Sequence, residues 1–199
     1  MIYFNDPDLH LHSAFSDGTD DPAELLEAVR CSGVDAFALT DHDTMDGCAA
    51  IEKLLRKDDP FFIAGIEFSC ADERGKYHIL GYGCDPAAPC LRDAVAYGHS
   101  TRMRKLESRL TFLEQRYGFR FTQGEFEQLC RERNPGKPHI VACLLRKGLI
   151  PSSETGYALF DGYTEPEKML SPEDAVTAIL GSGGIPVLAH GILADGSAS

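Results

Sequence analysis

Asp8-Leu9-His10-Leu11-His12 is the stretch on which the reading of this chain turns. Polar and apolar residues alternate along it, the period of a strand with one buried face. His10 and His12 are two apart, so both imidazoles leave the strand on the same side. Two imidazoles on one face can converge on one metal ion or on adjacent ions. A His-x-His pair is also a common surface feature, so its weight depends on what the rest of the chain supplies. Asp17 follows in a Ser-Asp-Gly turn placed to fold back over the strand end. An Asx-turn residue is the plain alternative for it.

Outward from this segment, short apolar runs alternate with helical patterns. Val34 to Leu39, Phe61 to Phe68 and Tyr77 to Tyr82 read as buried strands. Pro22 to Cys31 reads as a helix, with Pro22 at its start and Asp20 or Asp21 as N-cap. Thr44 to Arg56 reads as a second. Strand–helix–strand repetition predicts an α/β fold with a parallel sheet and right-handed crossovers.

The rhythm breaks after about Asp85. Met103, Leu106, Leu110, Leu113 and Tyr117 recur at steps of three and four, with a neighbouring stripe of Arg102, Lys105, Arg109 and Arg116. Gly118 is expected to end this helix. Phe126 to Arg133 and His139 to Lys147 predict two shorter helices, so 91–165 is read as a helical insertion between 1–90 and 166–199. Residues 171–182 form a further amphipathic helix, with Glu173 and Asp174 in its first turn. Ile185 to Ala189 resumes the strand pattern.

The ligand types of the first segment return at later strand ends. The second strand runs into Thr40-Asp41-His42-Asp43, the third reaches Glu67, and the last ends in His190. His78 lies near the start of its strand, which suits a neighbouring or antiparallel strand. Side chains at the C-terminal ends of parallel strands point into the mouth of a barrel. Buried His, Asp and Glu are costly unless paired or metal-bound, and five such segments outnumber the ligands of one zinc. Imidazole mixed with carboxylate suits Zn²⁺, Mn²⁺ or Fe²⁺ better than Ca²⁺ or Mg²⁺. Asp41 or Asp43 is placed to orient a metal ligand by hydrogen bonding. His99, with no carboxylate companion, reads as a surface residue. His139 follows Pro-Gly-Lys-Pro and reads equally as an exposed helix-start residue or a phosphate contact.

The net charge of the 199 residues is −12, which disfavours nucleic-acid binding by electrostatics alone. Yet residues 102–147 hold 11 of the 19 Lys and Arg against five Glu and no Asp, a local excess that hints at a division of labour. Seven cysteines, none spaced Cys-x-x-Cys, predict reduced thiols in a cytoplasmic protein. No apolar run of about 18 residues predicts a membrane span, and MIYFNDPD lacks the pattern of a signal peptide.

The successive segments Asp8-Leu-His-Leu-His-Ser13, Ser16-Asp-Gly-Thr19, Leu39-Thr-Asp-His-Asp-Thr44, Gly65-Ile-Glu-Phe-Ser69, His78-Ile-Leu-Gly-Tyr82 and Val187-Leu-Ala-His190 resemble the motifs of the PHP (polymerase and histidinol phosphatase) family, in order and spacing. Within it the chain is most similar to metal-dependent phosphoesterases with a helical insertion. These include nucleoside 3′,5′-bisphosphate phosphatases and 5′-to-3′ exoribonucleases acting on short RNA. Lys137-Pro-His-Ile-Val141 and the basic helix resemble that insertion.

The resemblance implies a distorted (β/α)₇ barrel and two or three divalent metals. By it, His10, His12 and Glu67 hold one metal, Asp17 and His42 help hold a second, and Glu67 bridges to a third with His78 and His190. Asp17, His42 and Glu67 would form the catalytic set, with Arg102 and His139 binding substrate. The substrate would be a small phosphorylated molecule, a nucleotide or short RNA, with a homo-oligomer as a candidate state. Two departures stand out. Gly191 follows His190 where the family usually has proline, and 194–199 lacks the closing Gly-Ser-Asp-x-His segment. The expectation is a barrel incomplete at its C-terminal end. An amidohydrolase, which also uses His-x-His, is disfavoured by the lack of a strand-end lysine. A non-catalytic metal-binding module is the remaining rival.

Overall fold

In the computed structural model, residues 3–132, 135–166 and 168–190 are described. Gly191 and the segment 194–199 lie outside them. The chain divides into two compact units, Met1–Gly98 with Met169–Ser199, and His99–Lys168.

The first unit is built on five strands: β1 (Pro7–Leu11), β2 (Ala36–Leu39), β3 (Phe61–Ala71), β4 (Lys76–Tyr82) and β5 (Ile185–Leu188). They form one sheet in that order. β1, β2 and β3 pair in parallel, but β4 is antiparallel to β3 and to β5. The sheet is therefore mixed rather than wholly parallel. The reversal comes from a tight hairpin after β3, where Asp72 Oδ1 accepts from the amides of Arg74 at 2.7 Å and Gly75 at 3.1 Å. An Asp that bonds its own downstream backbone is a turn device. It also explains His78, because the start of β4 lies at the same sheet margin as the ends of β1, β2 and β5.

The sheet curls strongly. Tyr82 on β4 donates its hydroxyl to the carbonyl of Leu9 on β1 at 2.9 Å, across two intervening strands. At the ligand-bearing margin, the rings of His10 and His190, which belong to opposite edges of the sheet, approach to 5.0 Å. Strand twist of constant hand makes such curling the expected shape of a multi-stranded sheet.

Helices cover the sheet for identifiable reasons. α1 (Pro22–Ser32) starts on a capping box of Asp21 and Glu24 with Pro22 in its first turn, and buries Leu25, Leu26 and Val29. α2 (Asp46–Glu52) is shorter than Thr44 to Arg56, because its C-terminal end turns at Lys53 and Asp59 takes up the Arg56 amide at 2.7 Å. α3 (Pro89–Tyr117) contributes Leu91 and Ala94 to the core of this unit. Phe37 and Phe68 are fully buried there, each worth about 1.5–3 kcal/mol in burial.

In the second unit, Leu106, Leu110 and Leu113 of α3 pack with α4 (Gln123–Arg131), α5 (Lys137–Arg146) and α6 (Ser153–Ala158) around a separate core containing Ile140, Leu144 and Phe160. The expected apolar stripe is buried at those three leucines, while Tyr117 is exposed. Arg109 of the basic stripe is paired with Glu165 at 2.7 Å. α6 had no sequence expectation. α7 (Pro172–Gly181), capped by Ser171, returns to the first unit and packs on β3, β4 and β5.

Candidate metal centre

The site grows from one side chain. Glu67 lies within β3, four residues before its end, and is fully buried. Its neighbours alternate to the opposite face, where Ile66 and Phe68 join the core. That alternation drives a carboxylate onto the inner face of a curled sheet, where it needs partners.

Five imidazoles supply them. Glu67 Oε2 faces His10 Nε2 and His12 Nε2, both at 3.1 Å, and His42 Nε2 at 3.5 Å. Oε1 faces His78 Nδ1 at 3.1 Å and His190 Nε2 at 3.5 Å. The rings follow one another around the carboxylate in a closed circuit. Centroid separations are 5.0 Å for His10–His12, 4.8 Å for His12–His42 and 4.8 Å for His42–His78. They are 5.8 Å for His78–His190 and 5.0 Å for His190–His10. Asp17, exposed at the rim, reaches His12 Nδ1 through Oδ1 at 3.4 Å and His42 Nε2 through Oδ2 at 3.5 Å.

The backbone is bent to present these groups. Gly18 lies against the His12 carbonyl so closely that a Cβ there would overlap it, which lets the Asp17 turn fold onto the strand end. Asp43 and His190 take positive φ, 56° and 59°. Asp and His are among the few non-glycine residues found in that region, and such strain concentrates at functional sites. Asp43 is held there by its amide, which donates to the Glu67 carbonyl at 3.0 Å, and by Oδ1, which accepts from Ser69 N at 2.9 Å.

The electrostatics suit a cation. Burial pushes the Glu67 carboxyl up, but His12, His78, His42 and His10 together hold it far below the usual carboxylate range. Burial dominates at His42 and lowers its pKa against the pull of Glu67 and Asp17. At His12 burial also lowers, yet Glu67, Asp17 and Asp41 outweigh it and the pKa is raised. An ionised Glu67 beside a His42 whose protonation burial disfavours is the state a metal requires of its ligands.

Two buried atoms test the fit directly. His42 Nδ1 and Glu67 Oε1 have no hydrogen-bond partner among the described residues. His78 Nδ1 is 3.1 Å from Oε1, close in distance but not directed as a hydrogen bond. Buried polar atoms left unmatched point to a missing ion or water. Three groups bring ligand atoms within 4.8 Å of one another: His10, His12 and Glu67; His12, Asp17 and His42; and His42, Glu67 and His78. The residues fit divalent cations.

His190 lies beside these groups through its contact with Glu67 Oε1. Arg102 and His139 belong to the second unit. The Gly136 amide donates to His139 Nδ1 at 3.3 Å, and His139 Nε2 lies 3.8 Å from Glu132. His99 is exposed. Ser13 and Ser16 hydrogen-bond Asp41, while Asp43 bonds the Glu67 carbonyl and the Ser69 amide. The Ser-Asp-Gly turn was visible, but not which carboxylate its serines would meet.

Comparison with known proteins accounts for this arrangement. The PHP domain model matches residues 8–148, and the chain belongs to that family. It is 31% identical over 191 residues to a 3′,5′-nucleoside bisphosphate phosphatase of Chromobacterium violaceum, covering 92% of this chain and 66% of that protein. A phosphoribosyl 1,2-cyclic phosphate 1,2-diphosphodiesterase of Eggerthella lenta is 34% identical, with 92% and 72% covered. A 5′-3′ exoribonuclease of Salmonella typhimurium is 31% identical, with 92% and 64% covered. Among solved structures, one from Bifidobacterium adolescentis, assigned as a metal-dependent phosphoesterase, superimposes with a TM-score of 0.75 at 27% identity, covering 92% of this chain and 66% of the other. The chain thus spans about two thirds of the length of these proteins. No helix among the described residues is long and apolar enough to cross a membrane.

Proposed function

We propose that this chain is a metal-dependent phosphoesterase that hydrolyses phosphate ester bonds of nucleotides or short oligonucleotides. The observation that carries the reading is the circuit of five imidazoles around the buried Glu67. The two carboxylate oxygens divide that circuit, so Glu67 is placed to bridge. His10, His12 and Glu67 would hold one divalent cation, Asp17 and His42 a second, and Glu67 with His78 and His190 a third. Zn²⁺, Mn²⁺ and Fe²⁺ match the donor set.

Bound cations supply a Lewis-acidic centre that polarises the ester and acidifies a water. The chain's own part is positioning and charge. Asp17, His42 and Glu67 form the catalytic set: Glu67 keeps its charge in a dry setting, His42 is fixed beside it, and Asp17 sits at the open rim. His190, with its side chain 55% exposed, lines the side open to substrate. Fixed groups of this kind reduce the reorganisation that reaction demands. Arg102 and His139 are assigned to the substrate's remaining phosphate or backbone, and 91–165 to a helical insertion in a distorted (β/α)₇ barrel. The curl of the sheet supports the barrel. Seven free cysteines support a reducing, cytoplasmic setting.

The substrate reading draws on relatives named for a nucleoside bisphosphate and for RNA. The test is phosphate or nucleotide release from a nucleoside 3′,5′-bisphosphate and from a 5′-phosphorylated short RNA, with Mn²⁺ or Zn²⁺ supplied. Turnover that disappears in Glu67→Gln is expected. Stoichiometric metal with no release from any ester would favour a non-catalytic metal-binding module.

A further inference from the structure

Strand β1 falls out of step with β2 where its ligands begin. Pro7 and Asp8 pair with Ala36 and Phe37, but the next paired residue is Leu11, opposite Leu39. β1 therefore takes three steps where β2 takes two, and the surplus falls on Leu9 and His10. An extra residue in one strand bends it and re-aims the side chains around it, a device common beside active sites. It also leaves that stretch without the regular ladder that would otherwise set its orientation.

Side chains hold it instead. The peptide joining Leu9 to His10 is bonded at both ends. Tyr82 donates its hydroxyl to the Leu9 carbonyl at 2.9 Å, and Asp8 Oδ1 accepts from the His10 amide at 3.4 Å. The tyrosine bond is the better of the two, although it reaches from β4 past two intervening strands. Register explains how the ring gets there. Glu67 stands opposite Leu80, and Gly65 opposite Tyr82. Opposed residues share a face and alternate along the strand, so Tyr82 lies on the face that carries Glu67 and His78. Gly65 presents no side chain across from it. Burial and then the charge of Glu67 push the Tyr82 hydroxyl up, so it keeps the proton it donates. A peptide is planar, and fixing the plane before His10 fixes the direction in which that side chain leaves. His10 Nε2 ends 3.1 Å from Glu67 Oε2.

We propose that Tyr82 is a positioning residue for the metal centre: its hydroxyl fixes the Leu9–His10 peptide and so aims the His10 ring at Glu67, where pairing with β2 does not. The inference rests on His10 being a metal ligand, as in the functional reading above. It concerns the placement of the ring, and its first readout requires neither metal nor substrate.

The test uses the full chain with ¹³C-labelled histidine rings. Tyr82→Phe keeps the aromatic ring and removes only the hydroxyl. In the metal-free chain it should displace the His10 ring resonances more than those of His42. Zn²⁺ affinity, measured by calorimetry, should fall by about 10-fold, the lower end of what losing an outer partner of a ligand costs. Replacing Tyr82 with para-aminophenylalanine, which puts an N–H donor in the same place, should restore both. Asp8→Ala frees the other end of the same peptide and should also displace His10. Tyr163→Phe removes a tyrosine hydroxyl in the second unit, where it bonds Ser108 and Glu165, and should change neither readout. A folded Tyr82→Phe with His10 unmoved, or with the zinc affinity of wild type, overturns the proposal even if denaturant unfolds it sooner. The bond would then serve the sheet alone. Equal loss in Tyr163→Phe also overturns it. Should Tyr82→Phe not fold, an unmoved His10 in Asp8→Ala overturns the proposal by itself. A wild type that neither binds zinc nor releases phosphate would sink the functional reading. The His10 displacement in the metal-free chain would still decide whether Tyr82 aims that ring.

Discussion

His78 reaches Glu67 from a strand running against it: its Nδ1 stands 3.1 Å from Oε1, although β4 is antiparallel to β3. The reversal of β4 brings its first residues to the margin where the other ligand-bearing strands finish. One carboxylate can thereby collect imidazoles from β1, β4 and the segments after β2 and β5.

Because every imidazole in the circuit faces Glu67, neutralising it should dismantle the centre as a unit. Glu67→Gln is expected to lower bound metal by more than about 100-fold in affinity, beyond what loss of an outer partner costs. Elemental analysis of the purified variant, with calorimetric titration of Zn²⁺ or Mn²⁺, checks this. Retention of full metal content would show that the histidines suffice without the carboxylate.

Metal should also stabilise the fold, since an unfolded chain does not gather these residues. With free metal at about 100 times its dissociation constant, linkage gives about 2.7 kcal/mol. The melting temperature should therefore rise on adding Mn²⁺ or Zn²⁺ and fall again with a chelator. Identical melting curves in both conditions would contradict a preformed site.

Gly47 is the point where α2 approaches the Asp41 carboxylate. Gly47→Ala would raise helix propensity yet overpack a buried seat, which typically costs about 1–3 kcal/mol. Denaturant titration should show a net loss of stability despite the better helix former. A gain would mean that the Asp41 side chain can move aside without penalty.

Away from the site, Arg30 grips Asp59 with two bonds, Nε to Oδ1 and a terminal nitrogen to Oδ2, each 2.7 Å. Arg30 holds the Asp59 carboxyl at about 2, below its ordinary 3.8. A depressed carboxylate stabilises the fold above its unfolded value, and the contribution fades as pH falls through the folded one. The deficit of Asp59→Asn relative to wild type should therefore be constant above about pH 4 and shrink toward about pH 2. Urea denaturation across that range would show it; a pH-independent deficit would exclude the ion pair as its source.

Much of this was legible in the sequence. Period-two alternation placed His10 and His12 on one face, and Asp21-Pro22 and Ser171-Pro172 marked helix starts that the structure also has. Strand direction was legible only in part: His78 near the start of its strand left a neighbouring and an antiparallel strand open, because an apolar run such as His78 to Tyr82 looks the same read either way. The end of α2 was hidden because Leu54 and Leu55 continue an apolar pattern while the backbone has already turned. α6 is six residues long, too short for periodicity to register. From the residues alone Glu67 was readable only as a ligand type; its shared place came from the family resemblance, since the gathering of five imidazoles depends on curvature that no local pattern encodes.

The approach of His10 to His190 sets an order of events as well as a shape. These rings lie near opposite ends of the described chain, and contacts between residues so far apart in sequence are slow to form. On a growing polypeptide the earlier histidines emerge long before β5 can pair with β4. The complete circuit therefore closes late in folding, and capture of an ion by all five rings would report that the five described strands have been assembled.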